Sequence, residues 1–216
     1  MKLSNYHSHF KLDDGVGELS EYAEKAINCG LEIIGVSPHA PLPFKNEWTL
    51  TNDGLSKYLD LMKDFKASYN EQLEIYTGLE IDFIPGKITP ADSDWDNFNL
   101  EYKIGSVHSI YDSVSEKDLS VDGPVSELVM LLENRFKGDI RQLIREYFSL
   151  EIQMIELGGF DILGHCDLVK KRNKDNRFFD QDEKWYREAA LEMLQAASKA
   201  NVIVEVNTGG LSRKAT

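Results

Sequence analysis

The sequence predicts an α/β fold with a parallel sheet and helical crossovers. Three observations carry that prediction. Short apolar runs alternate with longer stretches of helical period along all 216 residues, the order of parallel strands joined through helices. No shift in composition marks a boundary, so residues 1–216 are expected to form a single domain. All five histidines fall at the carboxyl ends of predicted strands, the edge where such folds collect their chemistry.

The elements follow in order. Lys2 to Tyr6 reads as a first strand. Glu18 to Cys29 places Leu19, Tyr22, Ala23, Ala26 and Ile27 on one helical face, and Gly30 is a natural C-terminal stop. Leu31 to Val36 is a short buried strand. Leu55 to Tyr69 carries Leu55, Tyr58, Leu59, Met62 and Phe65 at helical spacing. Leu73 to Tyr76 and Tyr102 to Val107 read as strands, and Glu127 to Glu133 and Ile140 to Leu157 as helices. Phe160 to Leu163 is a brief strand, Glu183 to Ala200 a helix, and Val202 to Val206 a strand. The polar stretches Pro85 to Asn99 and Lys170 to Asp182 read as surface excursions.

Charge and composition exclude several classes of function. Lys and Arg number 24 against 37 Asp and Glu, a net charge of −13, which argues against a nucleic-acid or anionic-membrane partner. A small phosphorylated substrate stays open, because bound metal ions supply local positive charge that the formula omits. Two cysteines, Cys29 and Cys166, are too few for a disulfide framework, so a reduced, cytoplasmic setting is expected. The N-terminus has no apolar secretory region, and no apolar run approaches the ~18 residues of a membrane span. Neither a G-x-S-x-G elbow, a P-loop nor a G-x-G-x-x-G turn occurs.

The histidines bear the chemistry. His7 and His9 follow the first strand, His39 follows the second by three residues, His108 closes the strand that begins at Tyr102, and His165 follows Leu163 across one glycine. Glu80 follows Leu73 to Tyr76 on the same reading. Neutral imidazole suits Zn, Fe and Mn, and a carboxylate can bridge two ions. In His7-Ser8-His9 the alternate side chains share a face and can hold one ion together. One histidine at a strand end is usually structural; five histidines and a carboxylate on one rim point to a metal cluster. Asp13 or Asp14 could add an oxygen ligand, or could instead cap the following helix. Cys166, one residue beyond His165, is expected to face away as a small buried hydrophobe, and Asp82 shares a face with Glu80 if that strand continues.

Taken as an ordered set, His7-Ser8-His9, Ser37-Pro38-His39-Ala40-Pro41, Gly78-Leu79-Glu80-Ile81-Asp82, Gly105-Ser106-Val107-His108-Ser109, Gly164-His165-Cys166-Asp167 and Asn207-Thr208-Gly209-Gly210-Leu211 resemble the PHP (polymerase and histidinol phosphatase) superfamily. Pro38 to Pro41, His165 to Lys171 and the Asn-Thr-Gly-Gly segment look most like its histidinol-phosphate phosphatase branch. The resemblance implies a distorted (β/α)7, TIM-like barrel with two or three divalent ions (Zn, Mn or Fe) at one face. It implies that His7 and His9 bind one metal, that Glu80 bridges to a second completed by His108 and His165, and that His39 belongs to a third with Asp14. The implied activity is hydrolysis of L-histidinol phosphate in histidine biosynthesis by hydroxide held on the metal ligands. Arg213, Lys171 and Lys170 would contact the phosphate. Family members carry a further strand with a Ser-Asp-x-His-type motif, whereas this sequence stops at Thr216, so the expectation is a truncated chain lacking that strand. Other readings are a PHP-type phosphoesterase acting on nucleotides or DNA 3′ ends, and a degenerate, non-catalytic metal-binding domain.

Overall fold

Strands of the first half pair in parallel, as their separation by helices requires. The computed structural model describes residues 2–209, in two compact units: 2–82 with Lys87–Gly105 and Gly159–Asp161, and Phe83–Gly86 with Ser106–Gly158 and 162–209.

In the first unit, β1 (Ser4–Asn5) pairs with β2 (Ile33–Val36), which pairs with β3 (Glu74–Asp82), all parallel. Beyond β3 lies β4 (Tyr102–Ser106), whose last residue belongs to the second unit. The crossover α1 (Leu19–Asn28) buries Leu19, Ala23 and Ala26. It starts where the Glu18 amide donates to Glu21 Oε2 at 2.7 Å and ends before Gly30 at φ +74°. The second crossover, α2 (Asn52–Tyr69), is capped by Thr51 Oγ1, which accepts from the Gly54 amide at 2.9 Å. Its buried face is Leu55, Tyr58, Met62 and Phe65. The Tyr58 hydroxyl, fully buried, lies 2.7 Å from the Val36 carbonyl and 2.8 Å from that of Gly78, tying the helix to β2 and β3.

β3 corrects the sequence reading, which ended this strand at Tyr76 and placed Glu80 after it. The strand runs to Asp82 and Glu80 lies within it. Gly78, inside the strand, is there for packing: a Cβ at that position would sit 2.4 Å from the Tyr102 ring. Gly35 in β2 makes room for the same tyrosine, whose hydroxyl donates to the Tyr6 carbonyl. Pro85 to Asn99 is more than surface, since its 3-10 turn Ser93–Phe98 buries Trp95, whose Nε1 donates to the Thr89 carbonyl at 2.9 Å.

The second unit opens with an antiparallel hairpin, β5 (Ser109–Asp112) and β6 (Lys117–Ser120), that the sequence reading left unassigned. Its signal is the pairing of Ile110 with Leu119, both buried. Asp112 builds the turn by accepting from the Val114 and Ser115 amides at 3.2 and 3.1 Å. α3 (Val125–Phe136) packs on this hairpin and on α4 (Ile140–Leu157). α4 begins at Asp139, whose carboxylate accepts from the Arg141 and Gln142 amides. Its inner face includes Leu143, Ile144, Tyr147, Phe148 and Met154, and α5 (Lys184–Ala200) packs against it. β7 (Ile162–Leu163) and β8 (Ile203–Val204) pair in parallel across that helix. The stretch from Lys170 is likewise partly interior: Asn173 is buried, donating to the Phe179 carbonyl and accepting from the Phe178 and Phe179 amides. Among the described residues no helix is long and apolar enough to cross a membrane.

Candidate metal centre

In the first unit, three imidazoles converge on one carboxylate oxygen. Glu80 Oε2 lies 3.1 Å from His7 Nε2, 3.2 Å from His9 Nε2 and 3.1 Å from His39 Nδ1. The backbone explains the convergence. The Glu80 amide donates to the Pro38 carbonyl and the Ala40 amide to the Glu80 carbonyl, so His39 is clasped beside Glu80 by an extension of the β2–β3 pairing. The Ser37 amide donates to the Ser8 carbonyl, and the Ser8 amide to Ser37 Oγ, which brings the His7–His9 segment alongside. Glu80 has no exposed side-chain surface, and the side chains of His7 and His39 are 7% and 8% exposed.

Asp13 sets the orientation of this cluster. Its carboxylate takes the His9 Nδ1 proton at 2.6 Å and the amides of Phe10, His39 and Gly15 at 3.0, 3.1 and 3.3 Å. With Nδ1 committed to Asp13, His9 presents Nε2 toward Glu80. Burial works against ionisation of Asp13, but the hydrogen bond and charge of His9 and the backbone amides hold it below the usual carboxylate range. Asp13 therefore neither caps α1, a task that falls to Glu18, nor keeps an idle oxygen. Asp14 is half exposed, and its Oδ1 lies 3.6 Å from His9 Nδ1 and 3.8 Å from His39 Nε2. Ligand-type atoms of His9, Asp13, Asp14 and His39 all lie within 4.8 Å of one another. Trp48, which the sequence reading did not single out, packs edge-on against the His39 ring at 4.8 Å.

This donor set fits a divalent cation. Two ring nitrogens, His7 Nε2 and His9 Nε2, approach to 3.1 Å, close enough for one ring to donate to the other or for both nitrogens to face one ion. Burial alone would lower the His9 pKa, yet Asp13 and Glu80 raise it to about 9. Imidazole nitrogen with carboxylate oxygen is the donor chemistry of Zn, Fe and Mn.

In the second unit the rings of His108 and His165 meet edge to face at 5.0 Å. His108 follows β4 and is pinned where its carbonyl accepts from the Val121 amide at 2.9 Å. His165 follows β7 at φ +21°, outside the ordinary range for a side-chain-bearing residue, and its amide donates to Glu205 Oε2 at 2.8 Å. Glu205 was hidden in sequence inside the apolar run Val202 to Val206. Lys170 Nζ is 2.8 Å from Asp167 Oδ2 and Lys171 Nζ is 2.6 Å from Asp122 Oδ2. Burial, followed by Glu151 and Asp167, pushes the Cys166 thiol up to about 12, so it is held as the neutral thiol. The structure brings together His7, His9, His39, Glu80 and Asp14 in one unit and His108 and His165 in the other, where Lys170 and Lys171 pair with Asp167 and Asp122. Gly210 and Arg213 lie outside the described residues.

Comparison with known proteins agrees with this architecture. A protein named "Probable histidinol-phosphatase" from Deinococcus radiodurans is 28% identical over 211 residues, 96% of this chain and 74% of its own length. A Bacillus subtilis protein named "Histidinol-phosphatase" is 28% identical over 162 residues, 71% of this chain and 60% of its own. Among solved structures, a Listeria monocytogenes protein assigned as a histidinol phosphatase superposes with a TM-score of 0.81 at 21% identity, covering 96% of this chain and 83% of that one. The histidinol phosphate phosphatase of Lactococcus lactis, solved with zinc, L-histidinol and phosphate, gives 0.68 at 23% identity, over 96% and 73%. The fold is therefore the α/β, TIM-like one that the sequence predicts. The family profile of the PHP domain matches residues 4–209, nearly the whole chain, and the chain belongs to the PHP domain family.

Proposed function

We propose that this chain, as a single domain over residues 1–216, is a metal-dependent phosphomonoesterase that hydrolyses L-histidinol phosphate to L-histidinol and phosphate, in histidine biosynthesis. The observation that carries metal dependence is the convergence of three imidazole nitrogens on Glu80 Oε2 at 3.1 to 3.2 Å. The substrate is supported by the names of the two curated relatives and by the L-histidinol and phosphate held by the Lactococcus lactis structure.

The ligands in this reading are His7, His9, His39, Glu80 and Asp14, with His108 and His165, holding two or three ions of Zn, Mn or Fe. Bound there, such ions supply Lewis acidity and make water a nucleophile near neutral pH. The chain's own residues prepare that state. Asp13 fixes the His9 ring so that its Nε2 faces Glu80, whose buried carboxyl group lies among the three rings. Lys171 and Arg213 are the cations assigned to the phosphoryl oxygens, which matters on a surface with a net charge of −13; Lys170, paired with Asp167 at 2.8 Å, is not kept in that role. The free cysteines Cys29 and Cys166 are consistent with the cytoplasmic location this reading assumes.

The test is phosphate release from L-histidinol phosphate by the chain loaded with Zn or Mn, set beside a generic aryl phosphate. Preferential turnover that disappears in His9→Ala and in the chelated protein is the expected result. Equal turnover of both esters overturns the substrate, and no turnover by protein that has bound metal overturns the activity.

A further inference from the structure

Two consecutive basic residues, Lys171 and Arg172, both reach back to one turn. Arg172 Nε donates to the carbonyls of Asp122 and Gly123 at 2.9 and 2.6 Å, fixing the backbone of that turn. Lys171 Nζ meets the Asp122 side chain at 2.6 Å. The other Asp122 oxygen accepts from Ser120 Oγ at 2.8 Å, and Ser120 Oγ accepts in turn from the Asp122 and Gly123 amides. The carboxylate is thus held on both sides, with 18% of the Asp122 side chain and 28% of the Lys171 side chain exposed.

The turn stands beside the histidine pair of this unit. Val121, the neighbour of Asp122, donates its amide to the His108 carbonyl at 2.9 Å. Lys171 belongs to the 3-10 turn Leu168–Arg172 that follows His165, and the Leu168 amide donates to the His165 carbonyl at 2.8 Å. Lys170 differs. Its ammonium pairs with Asp167, three residues earlier on the same turn and half exposed, and its side chain lines an open polar cavity of about 310 Å³ with Asn173, Asp175, Asn176 and Gln181.

We infer that Asp122 is a positioning residue, holding the Lys171 ammonium beside His108 and His165 as the cation that receives the phosphoryl group, and that Lys170 has no part in this. A lysine stem has four rotatable carbons and loses much of that freedom when it binds an anion. A part-buried carboxylate that has already ordered it removes that cost from the binding step. The inference rests on the phosphatase reading above, and its test separates the two.

Metal-loaded protein and the variants Asp122→Asn, Asp122→Glu, Lys171→Ala, Lys170→Ala and Asp122→Asn/Lys171→Ala are compared on L-histidinol phosphate. Asparagine keeps the oxygen that receives Ser120. Melting temperature and bound zinc are measured alongside, and neither is expected to move by more than a small amount. Asp122→Asn and Lys171→Ala should each lower kcat/KM roughly 10- to 100-fold, the value of a charge-assisted hydrogen bond. Adding Asp122→Asn to Lys171→Ala should cost nothing further, Asp122→Glu should recover part of the loss, and Lys170→Ala should stay within about 2-fold of wild type. Independently of turnover, inorganic phosphate should shield Lys171, and not Lys170, from an amine-directed acylating reagent in the zinc-loaded wild type, and Asp122→Asn should abolish that shielding. A full loss from Asp122→Asn on the Lys171→Ala background, or Lys170 shielded in place of Lys171, overturns the inference while the phosphatase reading stands. Shielding of Lys171 without turnover overturns the substrate and leaves the inference in place. Neither shielding nor turnover overturns both.

Discussion

Asp13→Asn is the substitution that most directly tests how the metal cluster is organised. The aspartate accepts from His9 Nδ1 at 2.6 Å and from the amides of Phe10, His39 and Gly15. Asparagine preserves the shape and one carbonyl oxygen, which can keep Phe10 and Gly15. The other position, which faces both His9 Nδ1 and the His39 amide, becomes an NH2 group and offers hydrogens where hydrogens already point. His9 must then hand its proton to Nε2, the atom 3.2 Å from Glu80 Oε2, and is no longer a ligand there without a tautomeric penalty. Loss of an orienting partner of this kind costs 10- to 100-fold in metal affinity, about 1.4 to 2.7 kcal/mol. The assay is zinc competition against a chromophoric chelator at fixed pH, with the thermal transition of the chelated variant as a folding control. The variant should fold and bind zinc at least about 10-fold more weakly than wild type. A folded variant that binds zinc within about 2-fold of wild type would refute the claim that Asp13 sets the His9 tautomer.

Three further outcomes follow from the same coordinates. Chelation should lower the melting temperature in proportion to lost binding energy, about 2.7 kcal/mol for metal held at 100 times its dissociation constant, and scanning calorimetry with and without chelator measures it. Glu151 is fully buried on α4, where burial dominates and lifts its pKa from 4.5 to about 8 against the opposing pull of its Tyr147 hydrogen bond and of His108. Because the folded state resists ionisation of this acid, stability should fall as pH rises from about 4.5 through 8, by at most about 5 kcal/mol, and denaturant titrations of Glu151→Gln should show a flatter profile over that window. Gly78→Ala should destabilise by about 1–3 kcal/mol, since its Cβ would stand 2.4 Å from the Tyr102 ring; a midpoint equal to wild type in urea would contradict the packing account.

What the sequence disclosed and what it withheld divide along physical lines. Histidine is scarce and chemically distinctive, so five of them at strand ends point to a metal site from sequence alone. The α/β order was equally plain, because helical and strand periods differ and α2, α4 and α5 keep theirs over 17 or 18 residues. Carboxylates are common, and 37 of them gave no reason to prefer one over another. Asp13 and Asp14 are adjacent and alike in sequence, yet one is sealed by four donors and the other lies half exposed near His9 and His39. Asp122 lies 49 residues from Lys171 in a polar turn with no periodicity, and Glu205 lies inside the apolar run Val202 to Val206, where nothing local marks it as a partner of His165. The misplaced end of β3 has the same root. A glycine adds nothing to a local strand period, and only the Tyr102 ring, 24 residues on, shows why position 78 of the strand takes one. Local period finds elements and rare side chains find the site, but which of many acids orients a ligand, or steadies a lysine, is decided by partners distant in the chain.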